Sequence, residues 1–310
     1  MPGGEWEEVS CPLCPADTGV RLYLSCGDRL VEPGLRNYNL VVCSGCGLIY
    51  LSPRPALELA PLHHKQDGYD PFLSFSSPRN LMERTYIIAR RLTCAWKRRL
   101  MLRFLPPGGS VLDVGCGSGE FLNSIKHIYR VEGIEPEPDA VEFARRKLGL
   151  SVQAGILGEV ALAADSHNFV TMWHALEHIP QPLEALEIVH SLLKPEGLLL
   201  IAVPNIRSFD AEYYAADWAP LDAPRHLWHF QPDSLTAVAQ RAGFNRIGSG
   251  ALPLDPFYNI LLSEKSKLRS GSSVWLAPFR ISIALTGSLS RGLLRGDHSS
   301  IYQVFQKKAA

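Results

Sequence analysis

The feature that most constrains this chain is an apolar run that drives straight into glycines. Ser110-Val-Leu-Asp-Val reads as a buried strand, and Gly115-Cys116-Gly117-Ser118-Gly119 follows at once. A helical pattern opens at Glu120 and runs to His127. Strand, tight glycine turn and helix in that order open an α/β unit. Gly115 and Gly117 have no side chain, so a ligand can lie against their backbone. The helix start offers unpaired N–H groups. Asp113, at the strand's end, can accept from a ligand ammonium. A second strand, Arg130–Glu135, ends in a carboxylate. That acid comes about twenty residues on, a spacing that suits the two hydroxyls of a ribose.

The alternation continues. An amphipathic helix over Glu137–Leu148 closes at Gly149. Strands follow at Ser151–Ala154, Phe169–Trp173 and Leu198–Val203, with helices at Leu183–Leu193 and Ser234–Ala242. Two last strands are expected at Phe244–Ala251 and Ser300–Lys307. The segment between them, about 253–298, has helical patterns around Phe257–Leu268 and Leu276–Leu294 and is too long for a plain loop. The fold class is therefore α/β. The expected sheet is Rossmann-like, doubly wound and mostly parallel, with an antiparallel last strand.

Upstream, cysteines concentrate before residue 61. Cys11-Pro-Leu-Cys14 and Cys43-Ser-Gly-Cys46-Gly47 are two CxxC knuckles. Two residues between thiolates let both reach one metal, and four sulfurs suit tetrahedral Zn2+. The gap between the knuckles has room for a hairpin. Such a zinc would be structural, and it would order a segment too small to hold itself together. Residues 1–61 are thus read as a zinc ribbon, 62–105 as a helical arm or lid, and 106–310 as the main domain.

Lys+Arg and Asp+Glu are 31 each, so there is no global field to draw in nucleic acid. The arm from Asn80 to Phe104 is locally basic, with Arg84, Arg90, Arg91, Lys97, Arg98, Arg99 and Arg103. It is read as a solvated face, with Leu81, Ile88, Leu92, Ala95 and Leu100 turned inward. The N-terminus lacks the apolar core of a signal peptide, and the cysteine usage suits a reducing compartment. A cytoplasmic location is expected. Val274–Leu294 is too interrupted to span a bilayer but leaves peripheral membrane contact open.

The run Val111-Leu-Asp-Val-Gly-Cys-Gly-Ser-Gly-Glu-Phe-Leu122 resembles the first motif of class I S-adenosylmethionine (SAM)-dependent methyltransferases. Its third glycine, Gly119, comes one residue earlier than the dinucleotide fingerprint requires. Glu135-Pro136 resembles the family's ribose-binding acid, and His174-Ala-Leu-Glu177-His178-Ile-Pro-Gln-Pro182 its segment after the fourth strand. Leu193-Lys-Pro-Glu-Gly197 through Pro204-Asn205 resembles the entry to its fifth strand. The resemblance covers roughly residues 108–244. It implies SAM as cofactor, held by Asp113, Gly115, Cys116, Gly117, Gly119, Glu135 and Pro136, with Trp173 and His174 beside it. Many relatives hold the adenine with an Asp after the third strand; here Ile156 is the candidate.

Catalytic candidates fall in two places. His174 should stand at the sheet's C-terminal edge, with Glu177 three residues on. Glu177 and His178 resemble residues that recur in the family whatever the substrate and are read as mostly architectural. His226 and His229 lie in Arg225-His226-Leu-Trp228-His229-Phe230, over the pocket. Each can serve as base or acceptor contact. Trp218 and Tyr214 are candidates for an apolar wall, and Tyr69 for a closing residue. Methyl transfer to a small-molecule or lipid-linked acceptor, such as a sugar or natural product, is the leading expectation. An RNA base methyltransferase and a non-catalytic SAM-binding or zinc scaffold protein are the alternatives.

Overall fold

A computed structural model describes residues 6–31, 37–56 and 81–308. Tyr69 lies outside the described residues. The N-terminal part starts with β1 (Trp6–Glu7) and two long strands, β2 (Val20–Gly27) and β3 (Asn37–Cys43), which pair antiparallel between the knuckles. The short β4 (Ile49–Leu51) pairs with β3, and β5 (Arg54–Pro55) pairs back with β1. A single helix, α1 (Leu81–Met101), leads into the main domain.

The main domain runs β6 (Ser110–Val114), α2 (Glu120–Ile125), β7 (Arg130–Glu135), α3 (Pro138–Leu148), β8 (Ser151–Ala154), β9 (His167–Trp173), α4 (Pro182–Leu192) and β10 (Leu193–Pro204). Then come α5 (Phe209–Tyr214), β11 (Trp228–His229), α6 (Pro232–Arg241) and β12 (Phe244–Ala251). The last elements are α7 (Asp255–Arg269), α8 (Ala277–Arg295) and β13 (Ser300–Lys307). The helix ends obey local chemistry: Pro138 opens α3, and Gly149 closes it in the left-handed conformation (φ 63°).

The central sheet is seven-stranded, in the order β12-β13-β10-β9-β6-β7-β8. Strands β6 to β10 are parallel, and β13 runs antiparallel to both neighbours. This is the expected Rossmann-like sheet with an antiparallel last strand. Its apolar strands are buried because helices cover both faces; β9 and β10 show this most clearly. Strand order reverses between β6 and β9. Ligands bind in the crevice at the C-terminal ends of strands at such a switch point.

Two local expectations fail. β10 begins at Leu193, not Leu198: Leu193 pairs with His167, and the Lys194-Pro-Glu-Gly197 segment is absorbed as an irregularity in the ladder. On α1 the inward face is Ile87, Leu100 and Met101, whereas Ile88 and Leu92 are exposed. Nor is the basic side wholly solvated. Arg90 Nε donates to Glu120 Oε2 (2.7 Å), and Lys97 turns toward the sheet.

β11 joins the two parts of the chain. Its two residues pair with β4, Trp228 opposite Tyr50 and His229 opposite Ile49, completing a sheet in the order β11-β4-β3-β2. Cys11, Cys43, Leu48 and Tyr50 share one buried cluster with Leu112, Val114, Trp228 and Phe230. Burying a side chain such as Phe230 contributes about 1.5–3 kcal/mol. Arg225 Nη2 donates to Asp28 Oδ1 (2.8 Å) and to Asp222 Oδ1 (2.7 Å), and Arg29 Nε also donates to Asp222 (2.6 Å). The loop after the fifth parallel strand is thus fastened to the cysteine-bearing part by a ladder, a shared core and buried charge.

Candidate active site

Asp113, Glu135, Trp173 and His174 all stand at the C-terminal ends of β6, β7 and β9, where the strand order reverses. The glycine turn crosses in front of them. Gly115, Gly117 and Gly119 have φ of 73°, 54° and 80°, a region that penalises side chains. Their roles differ. A Cβ on Gly117 meets nothing within 4 Å, so the space beside its backbone is open to a ligand. A Cβ on Gly119 would meet Leu150 Cδ1 at 2.5 Å, so this glycine lets α2 pack closely. The Cys116 side chain is buried under the turn, against Gly133, and burial pushes its thiol far up.

Glu135 is fixed by two backbone donors: Gly117 N–H to Oε2 (2.8 Å) and Glu137 N–H to Oε1 (3.0 Å). A carboxylate has lone pairs beyond these two and can still accept from ribose hydroxyls. Burial raises its pKa, and the two N–H groups oppose the rise. Asp113 accepts from Thr171 Oγ1 (2.6 Å) and is otherwise buried, which pushes it up to about 7. Its burial leaves a carboxylate suited to a cationic partner. Pro136 and Ile156 lie exposed just beyond β7 and β8. The side of the crevice carries Trp173 against Phe121 (centroids 5.4 Å), with Lys97 Nζ 4.3 Å from the Trp173 ring centroid. Burial lowers the Lys97 pKa, while Cys94 and Asp113 raise it.

A shelf of histidines and one acid adjoins this cradle. His174 has a left-handed backbone (φ 54°), a conformation costing on the order of 1 kcal/mol. Its Nε2 is 3.0 Å from Asp255 Oδ2, and its Nδ1 lies 3.3 Å from Glu177 Oε1. Burial disfavours the imidazolium, but the two carboxylates outweigh it and push His174 up to about 9. Glu177 sits on a short 3-10 turn, Leu176–His178, and is 1% exposed. Neither of its oxygens has a hydrogen bond; the His174 contact is an ion pair without hydrogen-bond alignment. Burial acts to raise its pKa, and His174, His226 and His178 outweigh that.

His178 and His226 stack edge to face, centroids 4.5 Å apart. His178 Nδ1 is 3.0 Å from Arg225 O, and His226 Nδ1 is 2.7 Å from Pro220 O. Burial, reinforced by His178, pushes His226 down to about 4. His229 lies behind it in β11, buried, with no partner for Nε2. Trp218 and Tyr214 do not form an acceptor wall. Trp218 Nε1 donates to Asp210 (2.9 Å) and Tyr214 OH to Glu264 (3.1 Å), both deep in the packing of α5 on the helical segment.

Lys97, Phe121 and Asp255 belong to the site and were absent from the sequence candidates. Lys97 comes from the arm and Asp255 from the start of α7, 81 residues beyond His174. Among the described residues, no sequence motif marks either one.

The four cysteines of the knuckles converge. Cys11, Cys14, Cys43 and Cys46 place their sulfurs within 4.8 Å of one another. Gly47 takes the left-handed conformation (φ 74°) that the turn after the second knuckle needs. At Gly45 a Cβ would meet Cys14 Sγ at 3.0 Å. Burial works against ionising Cys43, but backbone N–H groups of Cys46 and Gly45 outweigh it and bring Cys43 down to about 7.

The doubly wound sheet, with a glycine turn and a buried acid at its switch point, is the fold that SAM-dependent methyltransferases share. The profile of the methyltransferase domain family matches residues 87–247, and the chain belongs to that family as a SAM-dependent methyltransferase. It is 29% identical over 170 residues to a ubiquinone biosynthesis O-methyltransferase of Xanthomonas axonopodis pv. citri, covering 51% of this chain and 71% of that one. A protein of the same name in Xanthomonas campestris pv. campestris is 30% identical over 166 residues, covering 49% and 70%. Among solved structures, a SAM-dependent methyltransferase of Thermotoga maritima, described as a possible histamine N-methyltransferase, shares the fold. It has a TM-score of 0.50 and 20% identity, and the likeness covers 77% of this chain and 99% of that one.

Proposed function

We propose that the enzyme methylates an oxygen of a small-molecule or lipid-linked acceptor. The observation that carries this is the polar shelf of Glu177, His178 and His226 beside the cofactor cradle. SAM supplies an electrophilic methyl group on a sulfonium. Asp113 receives its ammonium, Glu135 its ribose, and the backbone at Gly115 and Gly117 lies against it. Ile156 offers the adenine an apolar contact. His174, held as an imidazolium between Asp255 and Glu177, positions Glu177 and does not act as a base. His226 is neutral at pH 7, so its electron pair is available on the acceptor side. His229 supports it from behind. The relatives named as O-methyltransferases support an oxygen acceptor.

The cysteine cluster is proposed to hold a structural Zn2+, which fits four sulfurs at this spacing. No described helix is long and apolar enough to cross a membrane. An exposed apolar edge at Trp275, Phe279, Leu293 and Leu294 supports peripheral contact with a lipid surface.

Two measurements test this. Calorimetric titration of the purified chain with SAM should give a one-site isotherm; no heat would remove the cofactor reading. Labelled SAM incubated with separated small-molecule, lipid and RNA fractions should transfer label to a hydroxylated small or lipid acceptor. Label in RNA alone would overturn the acceptor reading.

A further inference from the structure

Glu177, His178 and His226 come from two separate segments. Even so, one carboxylate oxygen and one ring nitrogen from each histidine lie within 4.8 Å of one another. In both histidines Nδ1 faces a backbone carbonyl, of Arg225 and of Pro220. A neutral imidazole that donates from Nδ1 carries its electron pair on Nε2, and this outer contact is how metal-ligating histidines are oriented. Glu177 is 1% exposed, and neither of its oxygens accepts a hydrogen bond. The His174 imidazolium pairs with it on one side, and no described donor hydrogen-bonds its remaining lone pairs. His174 stands behind it at 3.3 Å, itself backed by Asp255 at 3.0 Å, so the acid is oriented from its outer side as well.

We propose that Glu177, His178 and His226 form a second metal site, separate from the four cysteines, for a divalent first-row transition ion. Two imidazoles and one carboxylate suit Zn2+, Fe2+, Mn2+ or Co2+, and the absence of sulfur disfavours softer ions. Three protein ligands leave positions for water or an acceptor oxygen. The charges fit an oxygen acceptor: one carboxylate and one alkoxide or phenolate neutralise a divalent ion. The inference rests on the proposed reading of the shelf and revises one role in it: the His226 electron pair would hold the metal, and the acceptor's proton would leave to water.

The test uses the full chain with its cysteine site loaded with Zn2+. Co2+ is then titrated and followed by absorption, with total metal measured after dialysis. The expected result is one further equivalent per chain, with ligand-field bands and no thiolate charge-transfer bands. Glu177→Gln and, separately, His226→Gln should each lose that equivalent while keeping the zinc. A wild-type protein that takes up no second equivalent overturns the inference. So does uptake that survives in both variants, or that shows thiolate bands. Because wild type alone can refute it, a variant that fails to fold does not shelter the idea. SAM calorimetry on the same samples keeps the two readings apart: SAM bound without a second metal sinks this site and leaves the cofactor reading standing.

Discussion

Asp210 and Glu177 are both buried carboxylates beside the fifth parallel strand, yet they are treated oppositely. Asp210 is 0% exposed and accepts three hydrogen bonds. Trp218 Nε1 (2.9 Å) and Ser299 Oγ (2.7 Å) donate to its Oδ2, and Ser288 Oγ (2.9 Å) to its Oδ1. Those donors come from α5's own loop, from α8 and from the approach to β13, so Asp210 ties the helical segment to the sheet. Glu177 is equally hidden and receives no hydrogen bond in good alignment, only the ion pair with His174 and the favourable electrostatics of His226 and His178. Burial alone therefore does not separate these two acids. The number of donors does: an acid already held by three hydrogen bonds has little left for a ligand.

The largest effect should follow at the acid with fewer donors. Glu177→Gln is expected to lower methyl transfer by about a hundred-fold or more. Its cost in stability should be smaller than that of a change at Asp210. It should also flatten the pH dependence of stability. The His174 pKa is raised to about 9, so its contribution is full below the ordinary histidine value of about 6.5. That contribution is lost as pH rises through 9. Denaturation curves between neutral and alkaline pH, run beside initial-rate assays, check both parts. A variant that keeps its rate but loses its stability would erase the contrast.

Asp210→Ala should show the reverse. It leaves the Trp218 indole and two serine hydroxyls without an acceptor, a loss on the order of 3 kcal/mol. SAM binding by the folded fraction should be unchanged. Urea unfolding combined with calorimetry reads both; weakened SAM affinity at full stability would place Asp210 in the site.

Asp113 lies between these extremes: one hydrogen bond from Thr171, then burial. Its pKa, raised to about 7, ties cofactor binding to pH. A cationic ligand favours the ionised form, so SAM affinity should fall as pH drops through 7 and level off above it. Asp113→Asn should bind about tenfold or more weakly, the worth of a charge-assisted hydrogen bond, and should lose that pH dependence. Titrations at three pH values decide it; a variant with wild-type pH dependence would assign the proton elsewhere.

What the sequence made legible was local. The glycine turn, Asp113, Glu135 and the His174–Glu177 spacing each sit within one strand end or one turn, where residue order dictates position. The two knuckles were legible for the same reason. What escaped was contact across distance. A two-residue strand such as β11 has no periodicity to read, so its pairing with β4 left no trace. Asp255 reaches His174 only because α7 starts over the sheet's edge. Trp218 and Tyr214 were misread because an aromatic near a pocket in sequence looks the same whether it lines the pocket or, as here, hydrogen-bonds behind it. On α1 Leu100 was placed correctly, but Ile88 and Leu92 were misassigned because the pattern offers two adjacent apolar rows, and only packing selects Ile87 over Ile88.

The smallest effect on the folded protein belongs to the far edge of that same helical segment. Asp210 holds its inner face, while its outer edge shows Trp275 at 89% exposure, with Phe279, Leu293 and Leu294 also exposed. Side chains this open contribute little to folding, so Trp275→Ser should shift stability by no more than about 0.5 kcal/mol. An indole at a membrane interface is favourably placed, and neighbouring apolar residues add buried area. Arg295, at the end of α8, adds attraction to anionic headgroups. Sedimentation with anionic phospholipid vesicles should therefore carry down wild type and noticeably less of a Trp275→Ser, Leu294→Ser double variant, at equal melting temperature. Equal recovery of both would mean that this edge serves no lipid surface, and that a lipid-linked acceptor must reach the shelf by another side.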